Sequence, residues 1–294
     1  MKYGLHFRSW DGLYSPEQIP LFAQMARDMG AQTLEIGPPP CVLSGDVGVM
    51  ERLGRALRRV EIDTLLTCKY PAGAELSSPD PDQRQRGIEF LSGLIRGAAE
   101  LGSYAVAGII YSTWPHPYER DMIDKQIKYE RTMRSIESMR RVMPLAESCG
   151  VSLYAEVINR FEHYMLNTAA EGVDYCKQVG SERLKLLLDV FHMNIEEDSF
   201  EEAIQAAGRY IGHFHVSEPN RRLPTPGSRV NWESMGRALR ETGYEGSVTM
   251  EPILLFLGQT SYNSRLWRDF IQDASMEERN RMLKESLDFV KNCF

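Results

Sequence analysis

Short apolar runs alternate with longer, helix-periodic segments eight times along this chain of 294 residues. The eight predicted strands are Tyr3–Phe7, Thr33–Ile36, Thr64–Thr67, Tyr104–Ile110, Ser152–Val157, Leu184–Asp189, His213–Val216 and Val248–Glu251. A segment that can form a helix follows each one, and such alternation predicts parallel strands with crossover helices. No glycine-rich dinucleotide loop follows an early strand, so we expect a closed (β/α)8 TIM barrel rather than an open sheet. The predicted fold is an α/β protein in which residues 1–294 form one barrel domain with eight helices.

Local signals mark several helix boundaries. Ser15-Pro16-Glu17 and Ser78-Pro79-Asp80 each place a capping hydroxyl before a first-turn proline. Thr168, three residues before Glu171, predicts a capping box. Left-handed helix ends are predicted at Gly30, Gly102, Gly150, Gly180 and Gly243.

Charge and composition narrow the possible partners. The formal net charge of -7 repels nucleic-acid phosphates, so we expect no nucleic-acid partner. No segment reads as a membrane span or a signal peptide, so we also expect no membrane partner. The five cysteines are an odd number without a CxxC pair. They predict a reducing, cytoplasmic location rather than a disulfide framework.

Four residues of metal-ligand type lie at the ends of four successive strands: Glu156, Asp189, His215 and Glu251. A parallel barrel brings the carboxyl ends of its strands to one face, where barrel enzymes have their active sites. Carboxylates with one imidazole suit Mn²⁺, Co²⁺ or Mg²⁺, and no cysteine joins the set to favour zinc. One acid at a strand end is commonly only a helix cap, but capping does not explain four in succession. His213 is expected to point away from His215 and to be a packing residue.

A second layer of evidence is a resemblance to a known family. The motifs that carry it run from Glu156 to Glu162 with Asn167-Thr168-Ala169, from Asp189 to Asp198, from His213 to His215 with Glu218 and Asn220-Arg221-Arg222, through Met250-Glu251-Pro252, and, more loosely, Ser112-Thr113-Trp114-Pro115. With them the sequence resembles the D-tagatose/D-allulose (psicose) 3-epimerases of the xylose-isomerase-like barrel superfamily. The match is densest between Val151 and Pro252.

The resemblance implies roles for individual residues. Glu156, Asp189, His215 and Glu251 match the family's metal ligands, and Glu156 and Glu251 also match its acid/base pair on opposite faces of C3. The residues matching the substrate-binding set are Glu162, His192 and Arg221, at the O1–O3 end of the ketose, and Trp114, an aromatic wall. Without the motif, Glu162 could equally pair with Arg160 on the surface, and Trp114 could be a core aromatic.

The implied reaction is inversion of C3 in a ketose through a cis-enediolate, for example between D-allulose and D-fructose, D-tagatose and D-sorbose, or L-ribulose and L-xylulose. It implies a divalent ion, Mn²⁺ or Co²⁺ before Mg²⁺, which would polarise the carbonyl. No organic cofactor is expected, because no phosphate-binding loop or nicotinamide fingerprint is present. By analogy with the family, the partners are a small ketose and further copies of the chain, in a homodimer or homotetramer.

Two departures from the family concern specificity. His6 replaces an aromatic residue of the first strand, and Cys68-Lys69 replaces small residues after the third. We expect His6 and Lys69 to face the O4–O6 end of the sugar, although Lys69 could also be a solvated loop charge. The missing phosphate-binding loop favours a free ketose over its phosphate ester, and Lys69 is the reason to test this.

Three other functions are compatible with such a barrel. An aldose–ketose or hydroxypyruvate-type isomerase, or an inosose-type dehydratase, would use a similar metal site. A DNA-repair endonuclease would need more histidine ligands and a basic face, which six histidines and the net charge of -7 do not favour. A non-catalytic sugar-binding barrel would not need both paired glutamates.

Overall fold

The computed structural model describes residues 1–116 and 122–294. Eight parallel strands pair in chain order and the last pairs with the first, so the sheet is a closed barrel. They are β1 (Lys2–His6), β2 (Thr33–Ile36), β3 (Asp63–Cys68), β4 (Ala105–Gly108), β5 (Ser152–Val157), β6 (Leu184–Asp189), β7 (Ile211–Val216) and β8 (Ser247–Met250). The predicted TIM barrel is confirmed, and the predicted strand ends differ from these by no more than two residues.

Eleven α-helices lie in the described part of the chain, rather than the eight predicted. They are α1 (Ile19–Asp28), α2 (Pro40–Ser44), α3 (Val47–Val60), α4 (Pro81–Leu101), α5 (Lys125–Cys149), α6 (Ala169–Val179), α7 (Val190–Glu196), α8 (Phe200–Ala207), α9 (Trp232–Glu241), α10 (Gly258–Asn263) and α11 (Met276–Cys293). The three additional helices, α2, α7 and α10, follow β2, β6 and β8 directly in the loops on the active-site face. They were missed because two turns or fewer are too short for a helical period to show in the sequence.

Most of the predicted helix boundaries are present. Thr168 caps α6, and Thr168 and Glu171 form the predicted capping box. At α4 the prediction was wrong by two residues, because Asp80 rather than Ser78 accepts the first amide and Pro81 is the first helical residue. Ser15 makes no capping hydrogen bond; a short 3₁₀ turn, Pro16–Gln18, precedes α1.

The barrel interior contains an apolar cluster and a group of acids and histidines. Alternation along a strand puts residues two apart on the same face, so Tyr154 and Glu156 of β5 both point inward, as do Leu187 and Asp189 of β6. The apolar cluster consists of Leu65, Ala105, Ala107, Tyr154 and Leu187. Glu156 and Asp189 lie two residues beyond Tyr154 and Leu187, toward the carboxyl ends of their strands. None of the described helices is long and apolar enough to cross a membrane.

Candidate active site and metal centre

The four predicted ligand residues converge at the carboxyl end of the barrel. One ligand atom from each of Glu156, Asp189, His215 and Glu251 lies within 4.8 Å of the others, and all four residues are buried. The strand register aligns them, since Asp189 of β6 stands opposite His215 of β7. Glu251 follows β8, and its amide donates to the Val216 carbonyl at 3.1 Å. Residues nearly 100 positions apart in sequence therefore form one group of three carboxylates and an imidazole.

Glu35, which the sequence analysis did not single out, lies directly behind this group. Its Oε2 lies 2.8 Å from Nε2 of His215, and the residue is almost completely buried on β2. A carboxylate on one imidazole nitrogen fixes the ring's orientation and directs the other nitrogen toward a metal. An acid inside the apolar run Thr33-Leu34-Glu35-Ile36 was the available signal.

The expected orientation of His213 was wrong. Residues two apart in a strand share a face, and Nε2 of His213 also contacts Glu35 Oε2, at 3.2 Å. The His213 ring stacks on Tyr154 with centroids 5.9 Å apart. Burial lowers the pKa of His213 despite the Glu35 charge, so the ring is neutral. His213 thus faces inward, one layer below His215, as a packing residue.

The surroundings of His215 fit a cation. Nδ1 of His215 is buried without a hydrogen bond, although Glu251 Oε2 is 3.2 Å away. Burial opposes a positive charge on the ring, yet Glu35 and Glu251 raise its pKa well above the ordinary value. A site where buried acids favour positive charge, with an imidazole nitrogen facing carboxylates, suits a divalent ion of intermediate hardness.

Arg221 crosses the mouth of this group. Its Nη1 donates to Asp189 Oδ2 at 2.6 Å and to Glu251 Oε2 at 2.9 Å. The guanidinium lies 4.0 Å from the centroid of the Phe191 ring. Arg221 has a φ of 67°, a left-handed conformation that costs a non-glycine residue about 1 kcal/mol or more. Holding such a conformation at the site is consistent with a functional position for this side chain.

His192 lies between the ligand group and Asn159. Nδ1 of His192 accepts from the backbone N–H of Asn159 at 3.2 Å and lies 2.7 Å from its side-chain nitrogen. Because Nδ1 is an acceptor, the proton of the neutral ring is on Nε2. That nitrogen lies 3.4 Å from Oε1 of Glu156. His192 can therefore present a donor beside Glu156.

Glu162 and Trp114 form a joined pair on the cavity wall. Nε1 of Trp114 donates to Glu162 Oε2 at 2.6 Å, and both side chains are at least nine-tenths buried. Asn159 donates to the other oxygen of Glu162 at 3.1 Å. The surface pair with Arg160 does not form, because Arg160 binds Glu196 instead, at 2.8 Å. Both residues line the same cavity as the ligand group.

Glu156 and Glu251 have opposite protonation tendencies. Burial, reinforced by the Glu251 charge, raises the pKa of Glu156 above its ordinary value. Burial would also raise the pKa of Glu251, but the charges of Arg221 and His215 hold it well below the usual range.

His6 and Lys69 both line the cavity, in different surroundings. Nε2 of His6 lies 3.7 Å from a carboxylate oxygen of Glu35 and of Glu251, so His6 is next to the ligand group. Burial lowers the pKa of His6 to about 4, which keeps the ring neutral near neutral pH. Nζ of Lys69 instead lies 5.3 Å from the Trp114 ring centroid.

The cavity lined by three of the four ligand residues, Glu156, His215 and Glu251, has a volume of about 60 Å³. A larger one, about 520 Å³, lies between the loop after β7 and α11 and contains none of the four ligand residues. All the predicted site residues except Asp189 line the smaller cavity, inside the barrel mouth, and none of them lines the larger one.

Comparison with known proteins places this fold and site in a family. The family model for xylose isomerase-like TIM barrels matches residues 23–293. D-psicose 3-epimerase of Ruminiclostridium cellulolyticum is 39% identical over 99% of this chain and 97% of that protein. L-ribulose 3-epimerase of Mesorhizobium japonicum is 26% identical over 92% of this chain and 89% of that protein.

A solved structure gives the same result. The structure of D-psicose 3-epimerase with D-tagatose from Clostridium cellulolyticum H10 superposes with a TM-score of 0.92 and 37% identity, covering 100% of this chain and 99% of that one. The chain therefore belongs to the xylose isomerase-like TIM barrel family and, within it, to the D-psicose 3-epimerase family of carbohydrate epimerases.

Proposed function

We propose that this protein is a metal-dependent ketose 3-epimerase in which Glu156 and Glu251 exchange the C3 proton from opposite faces of the sugar. The observation that carries the proposal is the convergence of these two glutamates on a buried group that also contains Asp189 and His215. The names of the relatives, D-psicose and L-ribulose 3-epimerases, support the same reaction. The pairs D-allulose/D-fructose, D-tagatose/D-sorbose and L-ribulose/L-xylulose form the initial set of substrates.

The protein's own side chains account for the proton transfers. Glu251, which accepts a hydrogen bond from the Arg221 guanidinium, takes the proton from C3 on one face. Glu156, whose pKa is raised, delivers a proton to the other face. The two residues exchange roles in the reverse direction, so neither can replace the other.

Cation and donor groups stabilise the charge that develops beside C3. A divalent ion held by Glu156, Asp189, His215 and Glu251 would supply Lewis acidity and polarise the C2 carbonyl, which can lower the barrier by several kcal/mol. The Nε2 proton of His192 and the guanidinium of Arg221 add donors at the O1–O3 end of the ketose. Glu162 accepts from sugar hydroxyls there, and Trp114, bonded to Glu162, packs against the sugar ring or chain.

The setting proposed for the enzyme is cytoplasmic. All five cysteines are free, which supports a reducing compartment. Residues 1–294 act as one catalytic domain, because strands from the whole length contribute to the barrel. The assembly proposed is a homodimer or homotetramer, and sedimentation velocity of the purified protein tests it.

Incubating the Mn²⁺-loaded enzyme with a panel of ketohexoses and ketopentoses in D₂O tests the reaction. The expected result is formation of the C3 epimer with deuterium at C3, because a carboxylic acid can exchange its proton with solvent before returning it. Deuterium at C2 of an aldose product, or at C1 of the recovered ketose, would indicate an aldose–ketose isomerase instead. Product analysis by NMR distinguishes the two outcomes.

Replacing Glu35 tests the orientation of His215. We expect Glu35→Gln to weaken Mn²⁺ binding by about 10- to 100-fold, the usual effect of losing a carboxylate behind a histidine ligand. Isothermal titration with Mn²⁺ measures the dissociation constant directly, without using activity. The matched control is Glu51→Gln, an exposed glutamate of α3 paired with Arg55. An unchanged dissociation constant in a folded Glu35→Gln protein would contradict this role.

A further inference from the structure

Two cations face the same aromatic wall of the active-site cavity. Nζ of Lys69 lies 5.3 Å from the centroid of the Trp114 ring, and the guanidinium carbon of Arg8 lies 5.6 Å from it. Both side chains line the cavity that contains the ligand group. Arg8 follows β1 in a short 3₁₀ turn, and Lys69 follows β3. Two different loops therefore bring positive charge to one part of the cavity.

Lys69 follows β3, a strand that carries none of the four ligand residues. Eight strands in chain order put β3 opposite β7, so Lys69 lies across the mouth from His215. The part of the cavity wall that comes from β3, β4 and the loop after β4 is uncharged apart from Lys69: Thr67, Cys68, Gly108, Ile109 and Trp114. Two acids line the same cavity, Glu35 of β2 and Glu162, which binds Trp114. Cys68 is a thiol, because burial raises its pKa. In the described parts of the chain, no carboxylate lies within ion-pair distance of Lys69.

Arg8 is only partly neutralised. Its Nη1 lies 3.3 Å from Glu251 Oε1, a carboxylate that already binds Arg221. Nε of Arg8 is buried and has no hydrogen-bond acceptor in the described structure. Burial lowers the pKa of Lys69, and the charge of Arg8 lowers it further. The second effect is expected when two cations lie close to the same part of a cavity. An anion between the two cations would relieve that repulsion and would accept a hydrogen bond from Nε of Arg8.

We propose that the substrate carries an anionic group, a phosphate ester or a carboxylate, at the end remote from its carbonyl, and that Lys69 and Arg8 bind this group. The inference rests on the proposed function, because the ligand group must hold the carbonyl end near β6–β8 for the other end to reach β3. It departs from the preference for a free ketose expected from the sequence. That expectation rested on the missing glycine loop, and it did not include Arg8, a second cation that makes such a loop unnecessary.

Three sugars that differ only at C6 test the inference: D-fructose, D-fructose 6-phosphate and D-fructuronate, which carry a hydroxyl, a phosphate and a carboxylate. The Mn²⁺-loaded enzyme is assayed for kcat/KM of deuterium incorporation at C3, and each dissociation constant is measured by titration calorimetry. We expect one of the charged sugars to exceed D-fructose in kcat/KM by at least about 10-fold, as for a charge-assisted contact. The charged sugar with the higher kcat/KM shows whether the anionic group of the substrate is a phosphate ester or a carboxylate.

The variant Lys69→Met tests whether the Lys69 ammonium causes the preference for a charged sugar. We expect this variant to lower the ratio of kcat/KM for the charged sugar over D-fructose by at least about 10-fold, and Lys69→Glu to lower it further. Lys284→Met, on the exposed side of α11 where Lys284 pairs with Asp288 at 3.0 Å, is the matched control and should leave the ratio unchanged.

Two negative results have different meanings. The anionic site would be overturned if deuterium exchange is fastest with D-fructose and if Lys69→Met does not change the ratio of kcat/KM for the charged sugar over D-fructose. The proposed epimerase function would then still stand. No exchange at C3 with any sugar, charged or uncharged, from a fully metal-loaded protein would overturn the proposed function itself and the anionic site with it.

Discussion

Removing divalent ions from this protein should lower epimerisation by at least about 10³-fold, and adding Mn²⁺ or Co²⁺ should restore it. The expected size follows from the several kcal/mol that a Lewis acid contributes at a developing enediolate, since each 1.36 kcal/mol corresponds to a factor of ten. The buried group of Glu156, Asp189, His215 and Glu251 is the basis of the prediction. Dialysis against EDTA, elemental analysis and an assay after addition of each ion make the measurement.

The same experiment can exclude the metal site. Full turnover in a preparation that elemental analysis shows to be free of metal would contradict it. Mg²⁺ is included in the series, because oxygen ligands also suit it. Circular dichroism before and after chelation separates loss of the ion from loss of the fold.

Replacing either glutamate of the acid/base pair should lower kcat by at least about 10²-fold. Glu156→Gln and Glu251→Gln preserve the shape of the side chain and one possible ligand oxygen, but they remove its basicity. In the proposed scheme each residue serves one face of C3, so we expect both variants to be affected rather than only one. Steady-state kinetics on the preferred ketose measure the effect, with Glu51→Gln on α3 as the control.

Metal content must accompany these rates, because both glutamates are also proposed ligands. With the ion fully bound, near-normal turnover in either variant would refute the two-glutamate scheme. Loss of activity together with loss of the ion would instead be tested by raising the Mn²⁺ concentration until the site is saturated. The remaining rate at saturation then reports the chemistry alone.

The sequence alone was enough to predict the closed barrel and the convergence of the four strand-end residues. The strand–helix alternation limits the chain to parallel strands, and in a parallel barrel all carboxyl ends meet at one face. Asp189 and His215 are consequently neighbours whatever the details of the loops. The motif from Asp189 to Asp198 added the family, which the similarity to D-psicose 3-epimerase confirms.

Only the tertiary structure revealed contacts between groups from distant strands. In the sequence, Glu35 is a single acid in an apolar run. In the closed barrel, β2 places its carboxylate next to His215, across the interior. In the sequence, Arg8 is an ordinary loop charge. In the structure, the turn after β1 places it beside the Trp114 ring together with Lys69. Such contacts depend on side-chain directions across the barrel, and local periodicity carries information only along one strand or helix. The sequence therefore determined which residues reach the mouth of the barrel, and the closed fold decided which of them touch.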